Sequence, residues 1–316
     1  MTNATAALAR SITLSNSKQS YYTILLLVDK DLVDDCFRAY AYFRWADDII
    51  DQEAQSREDT ITFIECQKEL VERLYKNKRP GNLSPEEEII ADLISHDRGE
   101  NSGLRSFIQN FLAVLEFDAH RRGRFISQDE LTWYSNCLGK SVTDAIQYFI
   151  QNGHPYPEDQ SHYLAATAAH VTHMLRDMIH DLANGYINIP REYLESNGMY
   201  PEDVDNPRFH AWVRERVALA REYFRDGKRY LAGLDVLRCK IAGYWYIARF
   251  ECVLDAIEKD GYVLRTQYDK RRKSFTWFKL GWLAVSLTLR HFLRRFWHSS
   301  SNAPGESAYE ATTARY

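Results

Sequence analysis

The chain has 316 residues, of which 45% are hydrophobic, enough for one large helical domain with a sizeable core. Its formal net charge of -4 gives no indication of nucleic-acid binding, and no basic block precedes residue 265. The five cysteines lie far apart without metal-ligand spacing, which is typical of small buried side chains in a reducing compartment. Because residues 1–20 also carry no signal-peptide pattern, a cytoplasmic protein is expected.

The hydrophobic pattern is helical along almost the whole chain. Only eight prolines occur, and the long windows between them show helical rather than alternating periodicity, which predicts an all-α fold. Residues 1–16 are expected to be disordered. Helices are predicted at about 29–52, 58–77, 84–97, 104–119, 128–150, 159–183, 208–232 and 235–260, with a short helix opened by Pro190.

The end of the chain has a different character. Residues 270–273 are basic, and the aromatic segment that follows is interrupted by cations, so that an amphipathic helix is predicted at about 275–297. Two interpretations stay open: a final core helix with a solvated basic face, or a helix lying on a membrane surface, which would make the protein peripheral at the membrane. Residues 298–316 are polar and predict a disordered tail.

Two of the predicted helices carry pairs of aspartates at helical spacing. Asp47 and Asp51 are four residues apart with Asp48 between them, and Asp177 and Asp181 are again four apart. Each pair therefore stands on one helix face, where the two like charges repel. Magnesium takes oxygen ligands and commonly bridges protein carboxylates to substrate phosphates. Two such faces opposite each other predict a site for magnesium and a diphosphate.

Basic and aromatic residues complete the predicted site. A diphosphate leaving group develops negative charge, which metal ions and basic side chains stabilise. The basic candidates are Arg44, Arg176, Arg265 and Lys273. An apolar cavity sheltering a hydrocarbon tail or a carbocation would be lined by Tyr40, Phe43, Trp133, Tyr134, Phe149, Trp245 and Phe250. The plainer interpretation is that the acids are solvated helix faces and the aromatics ordinary core. Two pairs, each with an adjoining arginine, favour the site.

These motifs resemble those of a known family. Tyr40-x-x-x-Arg44-x-x-Asp47-Asp48-Ile-Ile-Asp51 resembles the first aspartate-rich motif of the squalene/phytoene synthase family. Leu175-Arg-Asp-x-x-x-Asp181, followed by Gly185-Tyr-Ile-Asn-Ile-Pro190, resembles the second. Ser17-Lys-Gln-Ser-Tyr21 is similar to the N-terminal flap of the family, and the segment from Phe117 to Tyr134 is similar to its middle helices. The resemblance covers roughly residues 17 to 273.

The resemblance implies an isoprenoid synthase helical bundle around a central cavity, forming one domain over residues 17–297. It implies a magnesium-dependent prenyltransferase of isoprenoid biosynthesis, which joins two C15 or C20 prenyl diphosphates head to head. The product would be of squalene or phytoene type, formed through a cyclopropylcarbinyl diphosphate. Two or three magnesium ions would be bound by Asp47, Asp51, Asp177 and Asp181, with Asp48 a weaker candidate. The diphosphates would be held or polarised by Ser20, Tyr40, Arg44, Arg176, Arg265 and Lys273.

Three departures from the family pattern are visible. His170-x-x-His173 stands where the family usually has Gln-x-x-Asn, and His173 is expected to hydrogen-bond diphosphate or to act as a base. Lys140 stands in a segment that is normally rich in small residues, where it would alter substrate length or diphosphate placement. Arg249-Phe250 occurs where an aromatic residue with a hydroxyl is expected.

Other functions stay open at this point. The same fold and metals would serve a class I terpene cyclase or a prenyltransferase that ionises a single prenyl diphosphate. A catalytically inactive, membrane-associated assembly factor is a further alternative, although such a protein would be expected to lose its metal-binding acids. A helical di-iron protein would need Glu-x-x-His pairs that the sequence does not supply. No Gly-rich nucleotide motif is found, so NADPH use is not indicated, although relatives that use it need no such motif.

Overall fold

A computed structural model of the protein describes residues 2–50, 56–97, 99, 102–150, 157, 159–268, 281–289 and 291. Over these residues the chain is helical and contains no strand, which confirms the all-α prediction. The helices are α1 Thr2–Asn16, α2 Lys18–Leu27, α3 Val33–Asp48, α4 Arg57–Tyr75, α5 Pro85–Ser95, α6 Gly103–Arg121, α7 Gln128–Phe149, α8 Leu164–Ala183, α9 Arg191–Asn197, α10 Pro207–Gly233 and α11 Leu237–Lys259. A 3-10 turn, Ser161–Tyr163, precedes α8.

The structure differs from expectation at the N-terminus, where residues 2–16 form α1 instead of a disordered segment. Ala9 is fully buried in the core. The Thr5 hydroxyl donates to Asp92 at 2.8 Å, and Arg10 forms an ion pair with Asp34 at 2.7 Å. Alanines in this segment favour a helix and also let it approach its neighbours closely, so tertiary contacts order a stretch that carries little hydrophobic signal.

Serine caps explain why several helices begin close to their predicted positions. Ser84 and Ser127 each accept a hydrogen bond from the backbone of the glutamate three residues later, and that glutamate bonds back to the serine backbone. This reciprocal capping box satisfies two amide groups that would otherwise lack a partner. The predicted first acidic helix begins at Val33 rather than at residue 29.

Small residues allow α7 and α10 to pack closely against α8. A Cβ atom on Gly139 of α7 would lie 2.3 Å from the Thr167 hydroxyl oxygen on α8. A Cβ atom on Gly227 of α10 would lie 2.8 Å from the backbone nitrogen of Ala165, near the start of α8. Both glycines are therefore required by helix–helix contact. The late position of Gly227 in α10 also shows that α8 and α10 run in opposite directions.

Contacts between helix ends show that α3, α6, α8 and α11 share one direction. Backbone Asp29, just before α3, donates to Phe149 at the end of α7, so that α3 runs opposite to α7. Gly103 at the start of α6 lies against Asp144 in the last turns of α7, and Tyr163, just before α8, donates to the Asp144 carboxylate at 3.3 Å. Arg238 at the start of α11 forms an ion pair with Asp29. The C-terminal ends of all four helices thus point to one end of the bundle.

The segment after α11 is described only in part. Residues 281–289 are helical, and Trp282, Val285 and Leu289 on this helix are exposed. The rest of the helix predicted at 275–297 lies largely outside the described residues, as does the tail predicted at 298–316. Among the helices that are described, none is long and apolar enough to cross a membrane.

The packing of Gly227 gives a stability prediction. Gly227→Ala places a methyl group against the backbone of α8 and is expected to destabilise the protein by about 1–3 kcal/mol, as overpacking does. Gly233→Ala, at the end of the same helix, meets nothing within 4 Å and serves as the control. Thermal unfolding should show a lower Tm for Gly227→Ala than for Gly233→Ala. Equal Tm values would contradict the close approach of α8 and α10.

Candidate active site

The first acidic face lies at the C-terminal end of α3. Arg44 lies 3.2 Å from Asp47 through its Nη1 atom and donates from Nε to Asp48 at 3.1 Å, with a further bond from Nη2 to Asp48. The hydrogen bonding to Asp48 is the main reason why the pKa of Arg44 is raised. Asp47 keeps 39% of its side-chain surface exposed. Asp51, the third acid of the predicted motif, lies outside the described residues.

The second acidic face lies along the C-terminal half of α8. Arg176 binds Asp177 with two hydrogen bonds, from Nε at 2.7 Å and from Nη2 at 2.6 Å. His173, one turn earlier, places its Nε2 atom 3.2 Å from the same carboxylate. Arg176 and Asp177 are 30% and 37% exposed, so a ligand has access to them. The structure thus brings together three of the predicted site residues on one face.

Asp181 occupies a less favourable environment than Asp177. Burial and the neighbouring Asp177 carboxylate raise the pKa of Asp181 to about 6. Asn188 partly offsets this by donating to an Asp181 oxygen at 2.7 Å. The raised pKa arises from desolvation and like-charge repulsion, and a bound cation would oppose both effects. The electrostatics of this pair therefore suit a cation.

A buried arginine connects α6 to this face. Arg121 is 5% exposed, donates to Asp118 at 2.6 Å, and donates to the side-chain oxygen of Asn188 at 2.8 Å. The Tyr134 hydroxyl donates to the other Asp118 oxygen at 2.8 Å. Because Asn188 also donates to Asp181, one hydrogen-bonded network joins the end of α6 to the second aspartate pair.

Sequence reasoning gave this network no role in the site. Asp118 and Arg121 stand three residues apart, which places them on one helix face and was a usable signal. The hydrogen bond from Arg121 to Asn188 could not be predicted from the sequence, because it joins segments 67 residues apart in the chain. Tyr134, predicted to line the cavity, instead belongs to this network and is 6% exposed.

The two histidines that depart from the family pattern occupy different environments. His170 is 6% exposed, and its Nδ1 atom has no hydrogen-bond partner in the described part of the chain. Its ring meets the Tyr134 ring edge-on at 4.6 Å, and burial lowers its pKa well below the ordinary value. Partial burial and the Arg176 cation lower the pKa of His173 to about 4. In both imidazoles the environment favours the neutral form.

An apolar cavity of about 310 Å³ lies among α2, α3, α7 and α11. Ser20 and Tyr40, two of the predicted diphosphate residues, are part of its lining. Of the predicted aromatic lining, Phe149 and Trp245 also belong to it. Phe43 packs in the core against Phe107 and Phe111, and Trp133 is 47% exposed. The cavity thus lies beside α3, which carries the first acidic face, and between α7 and α11, which both pack against α8.

The remaining basic candidates are not brought to these faces by described contacts. Arg265 is 61% exposed and forms an ion pair with Asp260 at 2.6 Å, just after α11. Lys273 lies outside the described residues, and Lys140 is exposed on α7. Within the described ranges, no three His, Cys, Asp or Glu side chains are grouped to hold a metal ion by themselves. The carboxylate chemistry nonetheless fits magnesium, which keeps several waters and binds substrate oxygens.

Comparison with known proteins identifies the class to which this helical bundle belongs. Residues 14–277 match the family model described as squalene/phytoene synthase. The chain therefore belongs to the squalene/phytoene synthase family, whose members are prenyltransferases. At the level of the family, the reaction is the head-to-head condensation of prenyl diphosphates. The resemblance given by the two aspartate motifs is confirmed.

Solved structures confirm the isoprenoid synthase fold. The chain is 20% identical to squalene synthase HpnC from Alicyclobacillus acidocaldarius, with a TM-score of 0.64 over 83% of this chain and 95% of that chain. It is 16% identical to a dehydrosqualene synthase solved in complex with a ligand, with a TM-score of 0.69 over 90% of this chain and 98% of that chain. At these identities the likeness establishes the fold.

Curated relatives include larger proteins. Bifunctional lycopene cyclase/phytoene synthases from Aspergillus oryzae and Arthroderma gypseum are each 24% identical to the chain. The alignments cover 69% and 66% of this chain but only 40% and 39% of those proteins. The chain thus spans about 40% of the length of these relatives.

The Arg121 network gives a second stability prediction. Arg121→Met leaves Asp118, which is 20% exposed, without its cation and is expected to lower the free energy of unfolding by up to about 3–5 kcal/mol, the range for breaking a fully buried pair. The control is Arg124→Met, which breaks an exposed ion pair with Glu130. That change is expected to cost under about 1 kcal/mol. Urea unfolding measures both, and similar losses would show that the Arg121 pair is not important for stability.

Proposed function

We propose that this chain is a magnesium-dependent prenyltransferase that joins two C15 or C20 prenyl diphosphates head to head. The product would be of squalene or phytoene type, formed through a cyclopropylcarbinyl diphosphate. One observation carries the proposal: α3 and α8, which bear the two aspartate motifs, run in the same direction, and α3 also lines an apolar cavity. Membership of the squalene/phytoene synthase family supports the reaction class.

The head of the substrate belongs at the aspartate faces and its tail in the cavity. Tyr40 lies in the cavity wall, seven residues before Asp47 on α3, a distance of about 10 Å along the helix axis. The lining continues from Tyr40 toward Cys36, which is farther from the acids. A prenyl diphosphate with its charged end near Asp47 therefore has its hydrocarbon chain directed into the apolar cavity.

Arginines beside each acidic face suit the ionisation step. Arg44 and Arg176 lie next to Asp47 and Asp177 and would neutralise negative charge on the diphosphate as its carbon–oxygen bond breaks. Magnesium bound by Asp47, Asp177 and Asp181, with Asp48 and Asp51 as further candidates, would supply Lewis-acid stabilisation of the leaving group. Ser20 and Tyr40, which line the cavity, would polarise a diphosphate oxygen.

The cavity walls would protect the reactive cation. Apolar side chains such as Ile146 and Phe149 exclude water, so that the double bond of the second prenyl diphosphate, rather than water, attacks the allylic carbon. Loss of a proton closes the cyclopropane ring. We assign His173, which touches the Asp177 carboxylate, to the catalytic face as a diphosphate ligand or proton acceptor.

Product analysis tests this function. The purified full chain, incubated with farnesyl or geranylgeranyl diphosphate, is expected to release diphosphate and form a C30 or C40 product only when magnesium is present. Asp177→Ala should lower the rate by at least about 100-fold, since even outer-shell partners of metal ligands contribute 10–100-fold. Glu222→Ala, an exposed acid on α10, is the control and should retain the rate. Gas chromatography with mass spectrometry, after removal of phosphate, measures the products.

Three outcomes would contradict the proposal in different ways. A cyclic C15 or C20 product would identify a terpene cyclase that ionises one prenyl diphosphate with the same residues. If neither substrate released diphosphate, the inactive assembly protein would become the favoured interpretation. A product formed equally well by Asp177→Ala would show that the second aspartate face does not serve the reaction.

A further inference from the structure

Arg249 is an unassigned cation in the wall of the apolar cavity. It lies on α11 and lines the cavity together with Ser20, Tyr40 and Tyr246. The remaining lining is mostly aliphatic and aromatic, so Arg249 contributes the one arginine or lysine found in this lining among the described residues. Neither the family resemblance nor the two aspartate motifs predicts a role for it.

Arg249 also differs from the other arginines near the site. Arg44 and Arg176 each bind an aspartate at the acidic faces. Over the residues described by the structure, no carboxylate lies within ion-pair distance of Arg249, and its Cζ atom lies 5.7 Å from the centre of the Phe250 ring. Arg249 is exposed at the edge of the cavity, so its guanidinium is a strong hydrogen-bond donor available to an anionic ligand.

The position of Arg249 connects the cavity to the second acidic face. The Phe250 ring lies 6.1 Å from the His173 ring on α8, and His173 in turn contacts Asp177. Arg249, next to Phe250 in the chain, is thus close to the point where the apolar cavity meets the carboxylate face. An amphiphilic ligand spanning this boundary would have its anionic head within reach of the guanidinium.

The chemistry of the proposed reaction limits what Arg249 can do there. A fixed positive charge beside a developing allylic cation would raise the energy of that cation. The charge becomes favourable when a bound anion neutralises it, and a guanidinium matches phosphate geometry through parallel hydrogen bonds. The suitable ligand is therefore a diphosphate carried by the same molecule whose hydrocarbon chain occupies the cavity.

We infer that Arg249 binds the diphosphate of the prenyl substrate whose tail fills the cavity, and thereby positions that substrate at the boundary with the second acidic face. The inference rests on the proposed function, because it takes the ligand to be a prenyl diphosphate. It assigns to α11 a contribution to substrate binding that is independent of the aspartates on α3 and α8.

Binding measurements with two probes test this assignment. Farnesyl thiodiphosphate carries the anionic head and resists ionisation, whereas farnesol carries only the tail. Arg249→Gln is expected to raise the Kd for farnesyl thiodiphosphate by about 10–100-fold, the range for losing hydrogen bonds to a charged group, and to leave farnesol binding unchanged. Arg249→Lys should recover part of the loss. The control, Arg225→Gln, removes an exposed arginine on α10 and should bind both probes like the wild type.

Kinetics and stability complete the test. With farnesyl diphosphate as substrate, Arg249→Gln should raise KM by a factor similar to the change in Kd, and its Tm should equal that of the wild type. An unchanged Kd for farnesyl thiodiphosphate would overturn the inference, as would an equal loss of farnesol binding. If wild-type protein binds farnesyl thiodiphosphate through Arg249 but releases no diphosphate, the proposed reaction fails while the binding assignment stands. If the wild type turns over farnesyl diphosphate and Arg249→Gln has the same Kd and KM, the role assigned to Arg249 is rejected while the proposed reaction stands.

Discussion

Repulsion between carboxylates is the constraint on which the arrangement of this site depends. Asp47 and Asp181 lie near the C-terminal ends of helices, where the helix dipole already contributes partial negative charge. Arg44 and Arg176 offset part of this charge through direct ion pairs. Within the described residues Asp181 has no such arginine bond, and its partial burial beside the Asp177 carboxylate raises its pKa. The site is therefore preorganised to favour cations.

A rigid scaffold is needed to hold this unfavourable charge in place. Gly139 and Gly227 let α7 and α10 approach the backbone of α8, which fixes the helix carrying the second aspartate pair. The Arg121 network then joins the end of α6 to Asn188 and Asp181. Because these contacts involve backbone and buried polar groups, small shifts are opposed by steric clashes or by loss of hydrogen bonds. Packing and hydrogen bonding thus act together to keep the carboxylates at fixed positions.

The sequence could predict what depends on short spacing but not what depends on distant contacts. Helical periodicity and the four-residue spacing of Asp177 and Asp181 are local, and the helices they predict are present. The order of α1 was missed because it depends on partners such as Asp92, more than eighty residues away. Arg265 was predicted to face diphosphate, yet its described contact is the local pair with Asp260. The charge of a side chain makes it a candidate for binding an anion, but only the tertiary structure shows which group the side chain contacts.

The close juxtaposition of charge and hydrocarbon is the property that ties this fold to its proposed chemistry. Ionising a prenyl diphosphate requires strong stabilisation of the leaving anion, whereas the allylic cation survives only where water is excluded. On α3 these two environments are separated by about two turns, from Tyr40 in the cavity wall to Asp47. On α11 the cavity lining reaches Arg249, and the ring of the next residue, Phe250, lies 6.1 Å from the His173 ring on α8. A single helix such as α3 can meet both requirements, because its last turn carries the acids and its earlier turns line the apolar cavity.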